Sequence, residues 1–266
     1  MGRLEYKVAI VTGGARGLGG ATVDVLAEEG ATVILADILD EAGEERAAAL
    51  RARGLKAEYH HLDVRDAAAW AVLVDKAMRT HGHVDVLVNN AGINIPITIE
   101  DASAQQFRDI LEINLVGPFT GMKAVIPAMR QSGGGSIINI ASNSTAMIMP
   151  LTSLYAAAKS GLANLTKTTA VHCAHRGYNI RVNSVHPGAH ETDMITGGMA
   201  DPMEIPMVRT LIHSTPMGRL GKPSELGKVV AFLASDDSSY MTASELFADG
   251  GLTVVSFGAE PVAKAS

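Results

Sequence analysis

Tyr155 and Lys159 stand four residues apart in Tyr-Ala-Ala-Ala-Lys, a run of strong helix formers, so both side chains project from one helix face. A free tyrosine ionises near pH 10, and half ionisation near neutrality needs roughly 3 to 4 kcal/mol of extra stabilisation of the phenolate. A neighbouring ammonium group pushes in that direction. Ser142 follows Ser136-Ile-Ile-Asn-Ile-Ala141, which reads as a buried strand, and at its end a hydroxyl can hold a substrate oxygen against the phenol. The chemistry is proton exchange with an alcohol. Tyr/Lys pairs at this spacing also decorate solvated helices, so the elements that position the three residues have to decide.

Val8-Ala-Ile-Val leads into Thr12-Gly-Gly-Ala-Arg-Gly-Leu-Gly-Gly, after which Ala21 to Glu29 has helical periodicity. Strand, glycine loop and helix together place a phosphate at a helix N-terminus. Gly13, Gly17 and Gly19 allow the tight turn and the close approach of backbone N–H groups to a pyrophosphate. The same residues without that setting would be a flexible turn.

A second strand, Thr32-Val-Ile-Leu-Ala, ends at Asp37, close to the distance from the first glycine at which a carboxylate receives the adenosine ribose hydroxyls. Otherwise Asp37 is a helix cap. Against the extra phosphate of NADP this carboxylate is worth about 4 kcal/mol of repulsion at 4 Å and a dielectric of 20. Arg16, before the second glycine, pulls the other way. The balance predicts NAD, with NADP the weaker cofactor.

Asp40 to Arg53 reads as an exposed helix and Ala57 to His61 as a third strand, followed by Asp63, whose side chain is suited to accept from the adenine amine. Val84-Asp-Val-Leu-Val is a fourth strand, ending in Asn89-Asn90-Ala91-Gly92, where small and amide residues can approach a cofactor. Two helical stretches separated by Gly117-Pro118, the strand at Ser136, the helix around Tyr155 and the strand Asn179 to Val185 continue the alternation. Ser224 to Ala234 adds a helix and Glu245-Leu-Phe-Ala a last strand. This predicts an α/β fold: a single-domain, Rossmann-like, doubly wound parallel sheet with helices on both faces, spanning 1–266. A segment at about 189–216, bearing Met194, Met199, Met203 and Met207, reads equally as a lid over an apolar substrate or as ordinary methionine packing, and 252–266 as a tail.

A net charge of −6 lacks the basic excess that nucleic acid or anionic membrane requires. Cys173 is the one cysteine, so no internal disulfide forms and a reducing cytoplasm is expected. No apolar run suggests a signal peptide or a membrane span. His60, His61, His81 and His83 fit no metal-ligand spacing and read as surface or loop histidines.

From about Lys7 to Gly251 the chain resembles the short-chain dehydrogenase/reductase superfamily, through the glycine loop, Asp63-Val64, Asn89-Asn-Ala-Gly92, Asn114, Ser142, Tyr155 with Lys159, Pro187-Gly188 and Thr192. The resemblance implies Tyr155 as general acid/base and Lys159 as the group that lowers its pKa and binds the nicotinamide ribose. It implies Ser142 as the holder of the substrate oxygen and Asn114 as support for a water in a proton relay. It also places Leu18, Ile38, Val64, Ala91, Pro187, Gly188 and Thr192 beside the dinucleotide, and it implies a homotetramer in which the helices bearing Tyr155 and Gly117 face partner subunits. Stretches such as Ala36-Asp-Ile-Leu-Asp-Glu and Val185-His-Pro-Gly look closest to bacterial 3α/20β-hydroxysteroid dehydrogenases. The expected activity is hydride transfer between NAD and a secondary alcohol or ketone, a hydroxysteroid or other cyclic alcohol among the candidates. The rivals are an NADPH-dependent 3-ketoacyl reductase and a redox-inactive dinucleotide sensor. Ser142, Asn143, Met149, Tyr155, His190 and Met194 are the expected substrate contacts, with Asn143 and His190 adding polarity to the pocket.

Overall fold

Short β-branched runs buried on both faces make the strands. The structure, a computed structural model, describes residues 2–196 and 204–254. The strands are β1 (Val8–Thr12), β2 (Thr32–Asp37), β3 (Ala57–His61), β4 (Val86–Asn89), β5 (Gly135–Ile140), β6 (Ile180–Pro187) and β7 (Glu245–Ala248). They form one parallel 7-stranded sheet in the order β3-β2-β1-β4-β5-β6-β7. The order reverses between β1 and β4. A ligand crevice opens at such a switch point, beyond the C-terminal strand ends.

The helices in chain order are α1 (Gly17–Glu28), α2 (Asp40–Ala52), α3 (Ala67–His81), α4 (Ala104–Leu111), α5 (Gly117–Gln131), α6 (Ser153–His175), α7 (Asp193–Thr196), α8 (Pro206–Ser214) and α9 (Pro223–Ala234). One face of the sheet, through Val11, Leu35, Val88 and Ile140, packs on α1, α2 and α9. The other, through Ile10, Leu87, Ile137 and Val182, packs on α3, α5 and α6. Such two-sided burial suits the parallel sheet that the alternation predicted. Among the described residues no helix is long and apolar enough to cross a membrane.

Strand ends shift by one or two residues, and two larger differences from the sequence reading each have a physical reason. Helix α1 begins at Gly17 rather than Ala21, because the glycines wind into its first turn. There Gly19 packs so tightly that a Cβ would lie 2.0 Å from the Gly13 carbonyl oxygen. Nor does Gly117-Pro118 separate two helices. Helix α4 runs through a π turn, Glu112–Val116, into α5, with the Gly117 N–H reaching five residues back to Glu112. Proline is tolerated here because it falls in the first turn of α5.

The segment read as a lid contains α7 and α8; its residues 197–203, with Met199 and Met203, lie outside the described residues. So does the tail from 255.

Candidate active site

Strand β5 delivers Ser142 in extended backbone, two residues past the strand end. The Ser142 Oγ accepts the Ser144 N–H at 3.1 Å, which leaves its own proton to donate elsewhere. The phenol of Tyr155, in the first turn of α6, lies near enough for that hydroxyl to favour its ionised form. The two residues expected to share a substrate oxygen are therefore neighbours.

Burial pushes the Tyr155 phenol above its ordinary pKa, and the Ser142 hydrogen bond pulls it partly back. Burial thus outweighs whatever support the phenolate draws from its neighbours in the site as it stands. Lys159 does lie on the same helix face, with Nζ 5.6 Å from the Tyr155 ring centroid, but it donates to the Ile140 carbonyl at 2.8 Å. Burial lowers the ammonium to about 8. The cation thus sits under the ring with its geometry fixed by β5.

Asn114 stands in the π turn. Its Nδ2 donates to the carbonyls of Ile93 at 2.9 Å and Ile110 at 3.1 Å, while its Oδ1 is buried with no protein partner. A Cβ on Gly92 would lie 2.5 Å from that Oδ1 and 3.4 Å from Lys159 Nζ. The missing side chain at 92 lets the amide and the ammonium border one small space.

The glycine loop forms a cradle against the end of β4. Gly13 has φ +63 and faces Ala91 so closely that a Cβ would lie 2.9 Å from the Ala91 Cα. Asn90 Nδ2 donates to the carbonyls of Thr12 at 3.0 Å and Gly13 at 3.2 Å, and Thr12 Oγ1 accepts the N–H groups of Asn90 and Ala91, each at 3.0 Å. Above Gly17, at φ +59, the nearest atom to a notional Cβ is the Thr192 methyl at 4.0 Å. Backbone donors at the start of α1, an open mouth and glycines that no side chain can replace fit the pyrophosphate of a dinucleotide. Leu18 packs on the core beneath.

Asp37 holds this loop from the β2 side, its carboxylate accepting from Ala15 N at 3.0 Å and Leu39 N at 3.1 Å. Ile38 and Arg16 are exposed beside it. Asp63 is already engaged by Arg65, whose guanidinium and N–H both donate to its carboxylate. The pairing holds Asp63 below its usual pKa, so an adenine amine would have to share it with a cation. Val64 is buried, and its carbonyl accepts from the Trp70 indole at 3.0 Å.

His190 is engaged by its own loop. Its ring packs on Gly221, its Nδ1 bonds the Gly188 carbonyl oxygen at 3.0 Å, and burial lowers its pKa. It lines a cavity of about 500 Å³ with Arg219, Glu225, Phe247 and Asp249, and neither Ser142, Tyr155 nor Lys159 borders that cavity. Pro187 ends β6, and a Cβ on Gly188 would strike Asp249, so the chain turns sharply there. Asn143 is buried in the turn after Ser142, Met149 is half-buried, and Met194 is exposed on α7. Ile93, Ile95 and Ile97 pack with Ile110 and Leu154 into a small apolar cluster between the Gly92 loop and α6. Of the histidines, His81 pairs with Glu58 and His61 with Asp40, and His60 lies part-buried on β3.

Sequence reasoning missed the residues whose partners are distant. Arg46 of α2 donates to the Ala15 carbonyl at 2.9 Å and to Asp24, and so clamps the loop from outside. In the sequence it is one more charge on an exposed helix. Asn139 links β4 to α6, accepting from Asn89 and donating to Thr166, each at 2.8 Å. A polar residue inside an otherwise apolar strand was the available signal.

Residues 13–253 match a family model described as enoyl-(acyl carrier protein) reductase. The chain is 42% identical over 257 residues to a trans-4-hydroxycyclohexanecarboxylate dehydrogenase of Sinomonas cyclohexanicum, covering 94% of each chain. It is 43% identical over 250 residues to a 3-alpha-(or 20-beta)-hydroxysteroid dehydrogenase of Mycobacterium tuberculosis, covering 94% of this chain and 90% of that one. A solved structure of a gluconate 5-dehydrogenase from Burkholderia cenocepacia J2315, in complex with NADP and tartrate, superposes with a TM-score of 0.87 at 33% identity, covering 96% of this chain and 98% of the other.

Proposed function

The chain belongs to the short-chain dehydrogenase/reductase superfamily, and from that premise we propose that it interconverts a secondary alcohol on a ring with its ketone, using NAD. The observation that carries the reading is the buried Tyr155 phenol set between Ser142 and Lys159, which favour its ionised form, beside the glycine cradle. Bound in that cradle, the dinucleotide would supply the hydride acceptor and a positive ring. Gly13, Gly17, Gly19, Asn90 and Thr192 would hold it, with Asp37 at the ribose.

In oxidation the phenolate of Tyr155 takes the hydroxyl proton, and Ser142 donates to the same oxygen throughout. Burial opposes the phenolate. Lys159, with Nζ 5.6 Å from the ring centroid, is the cation placed to offset part of that cost once charge develops on the phenol. With a pKa of about 8, Lys159 is roughly nine-tenths protonated at pH 7, so the charge is present. Asn114 Oδ1 is the free acceptor that a water beside Lys159 needs if the proton is to leave through the π turn.

The ring substrate is supported by the two relatives whose names specify ring alcohols and by the isoleucine cluster against α6. The segment 189–216, with exposed Met194 and Met207, would cover it. NAD is supported by the fixed Asp37 carboxylate; exposed Arg16 and the NADP seen in the gluconate dehydrogenase favour a second reading with NADP. We further propose a homotetramer, with Val116 at the end of the π turn, Phe119 at the start of α5 and Val171 on α6 buried between subunits.

Initial rates with NAD and NADP against cyclohexanols, steroid alcohols and polyols test the reading, alongside Tyr155→Phe. Oxidation of ring alcohols with NAD should dominate. The variant should keep cofactor binding and lose about 10²- to 10⁴-fold in kcat. A Tyr155→Phe enzyme with near-normal turnover removes the assigned base, and faster rates with NADP remove the role given to Asp37.

A further inference from the structure

Strand β6 carries a second polar pair on the face that looks towards the Ser142 turn. Ser184 and His186 are two residues apart and share that face, whereas Val185 points into the opposite core. His186 is fully buried, and its ring stacks on Phe247 at 4.6 Å. Its Nδ1 lies 3.0 Å from the Ser142 carbonyl oxygen and 2.9 Å from Thr145 Oγ1, and its Nε2 lies 2.9 Å from Ser184 Oγ. A carbonyl can only accept, so the proton belongs on Nδ1 and Nε2 must accept from Ser184. The Thr145 hydroxyl donates to the same Ser142 carbonyl at 2.9 Å. The Thr145 N–H adds a bond at 3.2 Å, so three donors converge on one oxygen, and His186 is the one that comes from another element.

We infer that His186 is a positioning residue for Ser142: it fixes the carbonyl of that serine, and through it the direction in which the serine hydroxyl meets the phenol. The inference rests on the proposed role of Ser142. Nothing closer than β6 orients that peptide from the sheet side, since Ser144 and Thr145 belong to the same turn. Burial keeps the imidazole neutral, with Glu245 on β7 and Lys167 and Lys159 on α6 the charged groups that bear on it. Neutrality preserves the bare Nε2 that the Ser184 bond requires.

Asparagine places its amide N–H where Nδ1 stood, and glutamine places its amide where Nε2 stood. The two substitutions therefore separate the Ser142 contact from the Ser184 contact. His186→Gln should lower kcat about tenfold, as a small misplacement of a reacting group does, with KM for the cofactor unchanged. It should also move the acid limb of the kcat profile to higher pH, because Ser142 no longer favours the phenolate. His186→Asn should recover most of the kcat and restore the limb. Thr145→Val should shift the limb the same way, and it decides the matter if the position-186 variants do not fold. An unmoved limb in Thr145→Val and His186→Gln, or a fall in kcat matched by lost cofactor affinity, overturns the inference. Ser142→Ala run in parallel keeps the two readings apart: if it retains full kcat, the role of Ser142 itself is wrong.

Discussion

At the scale of single residues, Lys159 is the costliest group in the site. Its folded pKa of about 8 lies below its ordinary 10.5 because burial disfavours the charged form. The unfolded chain therefore binds more protons between those two values, and stability rises as pH climbs through that window. Below pH 8 both states are charged and the full penalty, about 3 to 4 kcal/mol, is present. Lys159→Met removes the charge at similar length but also the charge-assisted bond to Ile140, a loss of about 1.5 to 3 kcal/mol that offsets much of the gain. The variant should thus be inactive yet melt a few degrees higher at pH 7 without cofactor, and the gap should close towards pH 10. Thermal melts across that range check it, and a Lys159→Met protein that melts lower at pH 7 would mean the ammonium stabilises the fold after all. The spacing of Tyr155 and Lys159 was legible because four residues on a helix fix a shared face. The bond to Ile140 was not, since it joins residues 19 apart on different elements.

At the scale of elements, the π turn decides what Asn114 can do. Pro118 has no N–H to give the Asn114 carbonyl four residues back, and the Gly117 N–H has gone to Glu112. The turn therefore keeps its wide register where the Asn114 amide must cap Ile110 and leave Oδ1 free. The dipeptide Gly117-Pro118 was legible only as punctuation. Periodicity cannot tell a broken helix from one that continues with an altered ladder. Pro118→Ala supplies the missing donor and should let the turn tighten towards ordinary helix. Melting should stay level or rise, while kcat falls by about tenfold, near 1.4 kcal/mol on the barrier. Paired calorimetry and steady-state kinetics check this, and unchanged kcat would show that packing, such as Gly117 against Val64, holds the turn instead.

At the scale of the whole molecule, the layers were legible because strands buried on both faces read as β-branched runs between amphipathic helices. The residues that lock the site together were not. Arg46 reaches Ala15 across 31 positions and His186 reaches Ser142 across 44, and such pairings follow from strand order, which no local pattern carries. The same limit applies outside the chain. Phe119 is 46% exposed on α5, and Val171 is 49% exposed on α6, the helix that also carries Tyr155 and Lys159. Fully burying a phenylalanine or valine is worth about 1.5 to 3 kcal/mol, so leaving both in water is costly for a lone subunit. Wild-type protein should sediment at about four times its 27.8 kDa chain mass, and Phe119→Asp, which would bury a charge in the interface, at a smaller multiple. Because α6 also bears Tyr155, the smaller species should lose kcat with its chain still folded by circular dichroism. Wild-type protein that sediments as a single chain would refute the tetramer, and a fully active Phe119→Asp monomer would show that the site stands without its neighbours.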